Sequence, residues 1–137
     1  MIALIFTVLA SCNKVDSEGE KNIAAAKGMF AAFNNHNWEK MASFYTDTAE
    51  FLDPAFGQAY VRKTQPETAK KYAEMHQMFQ DIKDDITGVT AAGDRVVVQF
   101  TSSGTPGGAA KWELPICSIL TFKDGKIIKD ATYYDNQ

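Results

Sequence analysis

Histidine and cysteine are scarce in this chain, which holds two of each in 137 residues. His36 and His76 stand in separate segments without HxH or HxxxH spacing, and no cysteines are paired at CxxC distance, so a metal signature is absent. Positive charge is thin as well. Fourteen Lys and Arg against 17 Asp and Glu give a net charge of -3. The lysines are scattered rather than striped, which argues against nucleic acid as a partner. No Gly-rich phosphate loop sits on a strand-to-helix turn; Gly104 to Gly108 falls between strands, and no cofactor is expected. The one long apolar run, Met1 to Cys12, is too short to cross a bilayer as a mature helix.

That run has the length of a signal-peptide core, and Leu9-Ala10-Ser11-Cys12 resembles the bacterial lipobox, in which the cysteine is lipidated and becomes the new N-terminus. No Lys or Arg precedes it. The expectation is a lipoprotein anchored in the cell envelope on the periplasmic side, touching the membrane only through Cys12; a non-functional signal would leave the protein cytoplasmic. Residues 1 to 19 then form signal and tether, and residues 20 to 137 one domain. With Cys12 acylated, Cys117 is left without a partner and reads as a small core hydrophobe.

With 45% hydrophobic and 12% aromatic residues, the remainder suffices for one core. Ile23, Ala26, Phe30 and Phe33 recur at helical spacing and predict a helix over about 20 to 34; Asn34-Asn35-His36-Asn37 stops it. Trp38, Met41, Ala42 and Tyr45 predict a second, short helix. Ala49 to Pro54 reads as a brief strand closed by proline, and residues 55 to 63 as loop with a short extended piece. Thr64-Gln65-Pro66-Glu67 is a capping box opening a third helix, with Thr68, Tyr72, Met75 and Phe79 on one face. From Asp81 the period changes to two. Four strands are expected, 82 to 91, 95 to 102, 111 to 122 and 126 to 134, joined by turns short enough for an antiparallel meander.

Two segments carry a resemblance. Phe30-Ala-Ala-Phe-Asn-Asn-His-Asn-Trp-Glu-Lys-Met-Ala-Ser-Phe-Tyr-Thr-Asp-Thr-Ala-Glu-Phe-Leu-Asp-Pro54 resembles the helix, turn, helix and first strand of the NTF2-like superfamily, SnoaL-like group, and Phe122-Lys-Asp-Gly-Lys-Ile-Ile-Lys-Asp-Ala-Thr-Tyr-Tyr-Asp135 resembles its final hairpin. The resemblance implies an α+β fold, an NTF2-like cone in which three N-terminal helices pack on a curved antiparallel sheet around a cavity, often as a homodimer. The fold hosts isomerases, cyclases, hydrolases and non-catalytic binding modules, so it does not fix a function.

Alternation along the last strand groups Ile128, Asp130, Thr132 and Tyr134 on one face, and the cost of burying Lys129 turns that face inward. Asp130 is therefore the leading candidate for a general base, with Tyr134 as donor to a developing oxyanion. Asp53 is a second candidate at the expected mouth of the cone, and Asp135, of opposite parity to Asp130, a weaker one. Tyr45, Tyr72, Met75, Phe79, Trp112 and Cys117 are expected to line the pocket, with Pro115 leaving open whether Trp112 or Glu113 points inward. The expected ligand is a small apolar or aromatic molecule, and the reaction, where there is one, a proton transfer. The alternative is a non-catalytic envelope interaction module that uses the fold as a scaffold.

Overall fold

A computed structural model describes residues 15–135. The expected signal and the Cys12 lipidation site lie outside the described residues. Helix α1 spans Val15–Asn34, α2 Trp38–Ala42 and α3 Gln65–Met78, and six strands span β1 Tyr45–Leu52, β2 Val61–Thr64, β3 Lys83–Ala92, β4 Arg95–Gly104, β5 Trp112–Lys123 and β6 Lys126–Tyr133.

Helix α1 begins before the expected boundary. Glu18, Glu20 and Lys21 are good helix formers, and the part of the expected tether from residue 15 onward is helical, with Asn22 already buried. The second helix stops early. Asn37 caps it by accepting from the Lys40 amide at 3.0 Å, but after Ser43 the chain extends, so Tyr45 opens a strand instead of closing a helix. Tyr45 is buried in that strand and shares its inward face with Ala49 and Phe51.

The sheet has six strands in the order β2-β1-β6-β5-β4-β3. Strands β3 to β6 form the expected meander, and the β5–β6 turn puts Asp124 at φ 50° and Gly125 at φ 75°, the conformation an Asp-Gly hairpin requires. One expectation is corrected here. The sheet is mixed rather than antiparallel, because β1 runs parallel to β6; α3 follows the strands β1 and β2, where a brief strand and a short extended piece were expected ahead of the capping box. A parallel pairing between strands some 80 positions apart has no turn to announce it in the sequence.

The concave face carries Val96, Val98, Phe100, Leu120, Phe122 and Ile127, closed by Ala26, Met29, Phe30 and Phe33 of α1 and by Met41. The capping box of α3 forms as read: the Thr64 amide and hydroxyl both donate to Glu67 Oε2 at 2.8 Å, and the Glu67 amide donates back to Thr64 Oγ1. Thr64→Ala, which removes one partner of this exposed pair, is expected to cost about 0.5–2 kcal/mol of stability, measurable as a lower urea midpoint at unchanged m.

Candidate functional site

Between α1, α3 and the concave face lies a cavity of about 170 Å³. Its apolar wall includes Met29, Phe30, Phe33, Met41, Tyr45, Tyr72, Met75, Phe100, Trp112, Leu114 and Ile116, and into it are set three carboxylates, Asp53, Asp84 and Asp130, with the amine of Lys71.

Alternation along β6 carries Asp130 and Thr132 to this face, and Tyr134 follows just past the strand. Asp130 is 7% exposed and well bonded: Tyr45 donates to Oδ2 at 2.7 Å and Thr132 to Oδ1 at 3.0 Å. Since the Thr132 hydroxyl gives its proton to Asp130, its 2.7 Å contact with Ser118 is one in which Ser118 donates. Burial raises the pKa of Asp130 above the ordinary carboxylate value, against the lowering effect of those two hydroxyls and of Lys71.

Asp53 is set the other way. It precedes Pro54, caps the short turn Pro54–Phe56 by accepting from the Ala55 amide at 2.8 Å, and takes further bonds from Tyr134 at 2.9 Å and Lys71 at 3.2 Å. Partial burial works to raise its pKa, but the Lys71 charge, the Ala55 amide and the Tyr134 hydroxyl together hold it below the ordinary value. Tyr134 is consequently committed to Asp53 rather than to Asp130, and its own pKa rises to about 12 through desolvation and that carboxylate. Lys71 sits 4.1 Å over the Phe56 ring, which fixes the amine beside Asp53.

Asp84 is the residue the sequence reading passed over. Asp84 and Ile86 share one face of β3, in step with the buried Ile82 just ahead of it, and the same alternation that turned Asp130 inward turns Asp84 inward. Asp84 is 7% exposed; Ser102, its register partner on β4, bonds to the carboxylate, while Oδ1 is buried with no partner. Desolvation lifts its pKa to about 7. Tyr72 stands among all three acids. Its hydroxyl pKa is raised by burial first and then by the charges of Asp130, Asp53 and Asp84, so it is a neutral phenol able to donate.

The other candidates fall elsewhere. Trp112 borders the cavity and Glu113 is exposed beside Lys111, which resolves the choice Pro115 left open. Pro115 itself lies beyond the last β5–β6 pair, Cys117–Tyr133. Cys117, expected in the pocket wall, is on the outer sheet face with Gln99, Pro115 and Tyr133, because Ile116 and Ser118 on either side of it take the inward positions. Phe79, expected in the same wall, follows α3 and packs edge-on to Trp112 at 5.3 Å without bordering the cavity. Asp135 is exposed and of outward parity. His36 and His76 meet with ring centroids 4.0 Å apart beside Trp38, and neither borders the cavity. Among the described residues no three His, Cys, Asp or Glu side chains are grouped to hold a metal.

Solved structures share this architecture. A protein of ketosteroid isomerase-like fold from Catenulispora acidiphila, in complex with trimethylamine, superposes with a TM-score of 0.73 at 20% identity over 82% of this chain and 85% of its own. An LEH-like epoxide hydrolase of M. tuberculosis gives 0.73 at 19% identity over 86% and 85%, and Bal32a, from a soil-derived mobile gene cassette, 0.76 at 17% identity over 88% and 93%. At such identities the likeness establishes the fold alone. A comparison with curated proteins finds no match. The SnoaL-like domain family model matches residues 26–129, from the middle of α1 into β6, and the chain therefore belongs to the SnoaL-like family of the NTF2-like fold.

Proposed function

We propose that the cone binds a small, largely apolar molecule and transfers a proton on it, with Asp130 as the group that takes and returns the proton. The observation that carries this reading is the contrast between carboxylates on one cavity: Asp53 is held ionised by Lys71, Tyr134 and Ala55, while Asp130 is pushed by burial towards its neutral form. Environments that drive two acids apart in pKa divide fixed charge from mobile proton. Asp53 is the fixed charge here, holding Tyr134 and Lys71 in place. Asp130 is the exchangeable one, and Tyr72 is the neutral donor placed to meet negative charge developing on the ligand.

This differs from the sequence expectation in the donor, since the Tyr134 hydroxyl is already engaged. The named relatives support a small-molecule site in this fold, as they include a trimethylamine complex and an epoxide hydrolase. A cavity of about 170 Å³ favours ligand binding over the alternative of a scaffold whose cone is filled by its own side chains.

The experiment is deuterium exchange. Small cyclic ketones incubated with the protein in D2O are expected to gain deuterium at the α-carbon faster than in buffer, and the excess is expected to disappear with Asp130→Asn. Excess exchange that Asp130→Asn leaves unchanged removes Asp130 from the role. Exchange at the buffer rate for every ketone and epoxide tried removes the catalytic half of the proposal.

A further inference from the structure

The proton-transfer reading uses Asp130, Asp53 and Tyr72 and leaves Asp84 without a task. A carboxylate at this depth is costly unless something meets it, and one of its oxygens meets nothing. Neighbouring cations are already engaged. On β3 itself Lys83 and Asp85 pair with each other at 2.6 Å on the exposed face. From the end of α1, Asn34 is spent on the Asp84 backbone, accepting from its amide and donating to its carbonyl, both at 2.8 Å. His36, just beyond, is turned to the Ile82 carbonyl at 3.0 Å. Ser102 of β4 serves one Asp84 oxygen, and Tyr72 of α3 is neutral. Across the cavity, Lys71 is bound to Asp53, and Asp130 adds a further acid.

The surroundings are aromatic. Phe100 lies two residues from Ser102 on the same face of β4, Phe30 packs edge-on to it at 4.8 Å, and Tyr72 and Trp112 complete the wall. Aromatic side chains and an under-satisfied carboxylate, together on the wall of a cavity partly open to solvent, are complementary to a positive charge wrapped in alkyl groups. Size narrows the class further. The cavity is close to the roughly 150 Å³ of an apolar protein cavity that holds one benzene molecule, so the part of the occupant held inside has about six to eight heavy atoms.

We propose that this cavity binds a compact organic ammonium ion, its charged head beside the Asp84 carboxylate and its alkyl groups against Phe30, Phe100, Tyr72 and Trp112. The proposal rests on the cone being a ligand site, as above, and adds the charge and size of the ligand. It also fixes the direction of proton linkage. A bound cation favours the ionised carboxylate, so Asp84, whose pKa burial lifts to about 7, gives up its proton on binding. If only the ionised form binds, affinity rises about tenfold from pH 6 to pH 8.

Choline and 3,3-dimethylbutan-1-ol, its uncharged carbon isostere, separate charge from shape. Each is titrated into the 137-residue chain at pH 6 and pH 8 by calorimetry, with amide NMR to place the binding. At pH 8 choline is expected to bind at least about tenfold tighter than the isostere, with proton release and weaker binding at pH 6. Asp84→Asn is expected to remove the preference and its pH dependence while leaving the isostere unaffected. Phe100→Leu, which keeps apolar volume but loses the ring, is expected to weaken choline more than the isostere. The proposal is overturned if the isostere binds as tightly as choline, if the preference survives Asp84→Asn, or if neither probe perturbs cavity residues. Isostere binding without choline preference overturns the cation alone and leaves the cone as a ligand site, whose proton-transfer role is decided separately by deuterium exchange.

Discussion

Asp130→Asn is expected to lower the rate of the proposed proton transfer by about 10²- to 10⁴-fold, with little change in the affinity for a neutral ligand. Asparagine keeps the shape and its one amide oxygen accepts from Tyr45, while its NH2 donates to Thr132, whose hydroxyl turns its own proton away, so the cavity is retained while the proton acceptor is lost. The separation of rate from binding is what identifies the role: a merely structural change would move both. The pH profile of the wild-type rate adds an independent check. Burial holds Asp130 above the ordinary carboxylate range, so a rate that depends on its ionised form climbs with pH along a limb displaced upward from the value of a free aspartate. A limb at the free-aspartate position would instead point to a carboxylate that is not desolvated. The corresponding Asp53→Asn change is expected to act less directly, by releasing Tyr134 and Lys71.

Asp84→Asn is expected to make the protein more stable than wild type above neutral pH, an unusual outcome for a buried polar substitution. Asp84 titrates at about 7 in the folded protein against roughly 3.9 in an unfolded chain. The folded state therefore holds a proton that the unfolded state has lost between those values. The stability this confers is fully present below about pH 4 and drains away as pH rises through 7. Asparagine has no proton to lose. The stability difference between variant and wild type should shift in favour of the variant by roughly 2–4 kcal/mol between pH 4 and pH 8, read from urea unfolding at each pH. A difference that stays constant across that range would mean that Asp84 is hydrated rather than enclosed. The same experiment with saturating choline at pH 8 should narrow the gap, because a bound cation stabilises the ionised carboxylate.

Period-two patterning was the most informative feature of the sequence. It turned Asp130, Thr132 and Tyr134 inward from one lysine's cost of burial, and it would have turned Asp84 inward had Ile82 and Ile86 been weighed as its companions. Local chemistry was equally legible at Thr64-Gln65-Pro66-Glu67 and Asp124-Gly125, where backbone and side chain agree within four residues. What escaped was non-local. The apolar positions Trp38, Met41 and Tyr45 fit a helix as well as the helix-then-strand they form, and only the pairing of Tyr45 with β6 decides it. Lys71 offered a signal that was missed, lying three residues from Thr68 and four from Met75 on the inward side of α3; a lysine there implies a buried partner, and the partner is Asp53. Cys117 was assigned inward for its chemistry against the parity of its own strand, and parity prevailed.

Strand β6, the last in chain order, lies third of six in the sheet, between β1 and β5. On a ribosome, the β1–β2 pair and the β3–β5 meander are both made before the strand that joins them exists. Each half waits with a bare edge, the kind of surface that captures other chains. The long-range β1–β6 registration also falls late in folding, when the cost of closing so large a loop must be met at once. Because the arriving strand brings Asp130 and Thr132 with it, with Tyr134 just behind, the sheet and the cavity wall close in the same event, and no partly synthesised chain can possess one without the other.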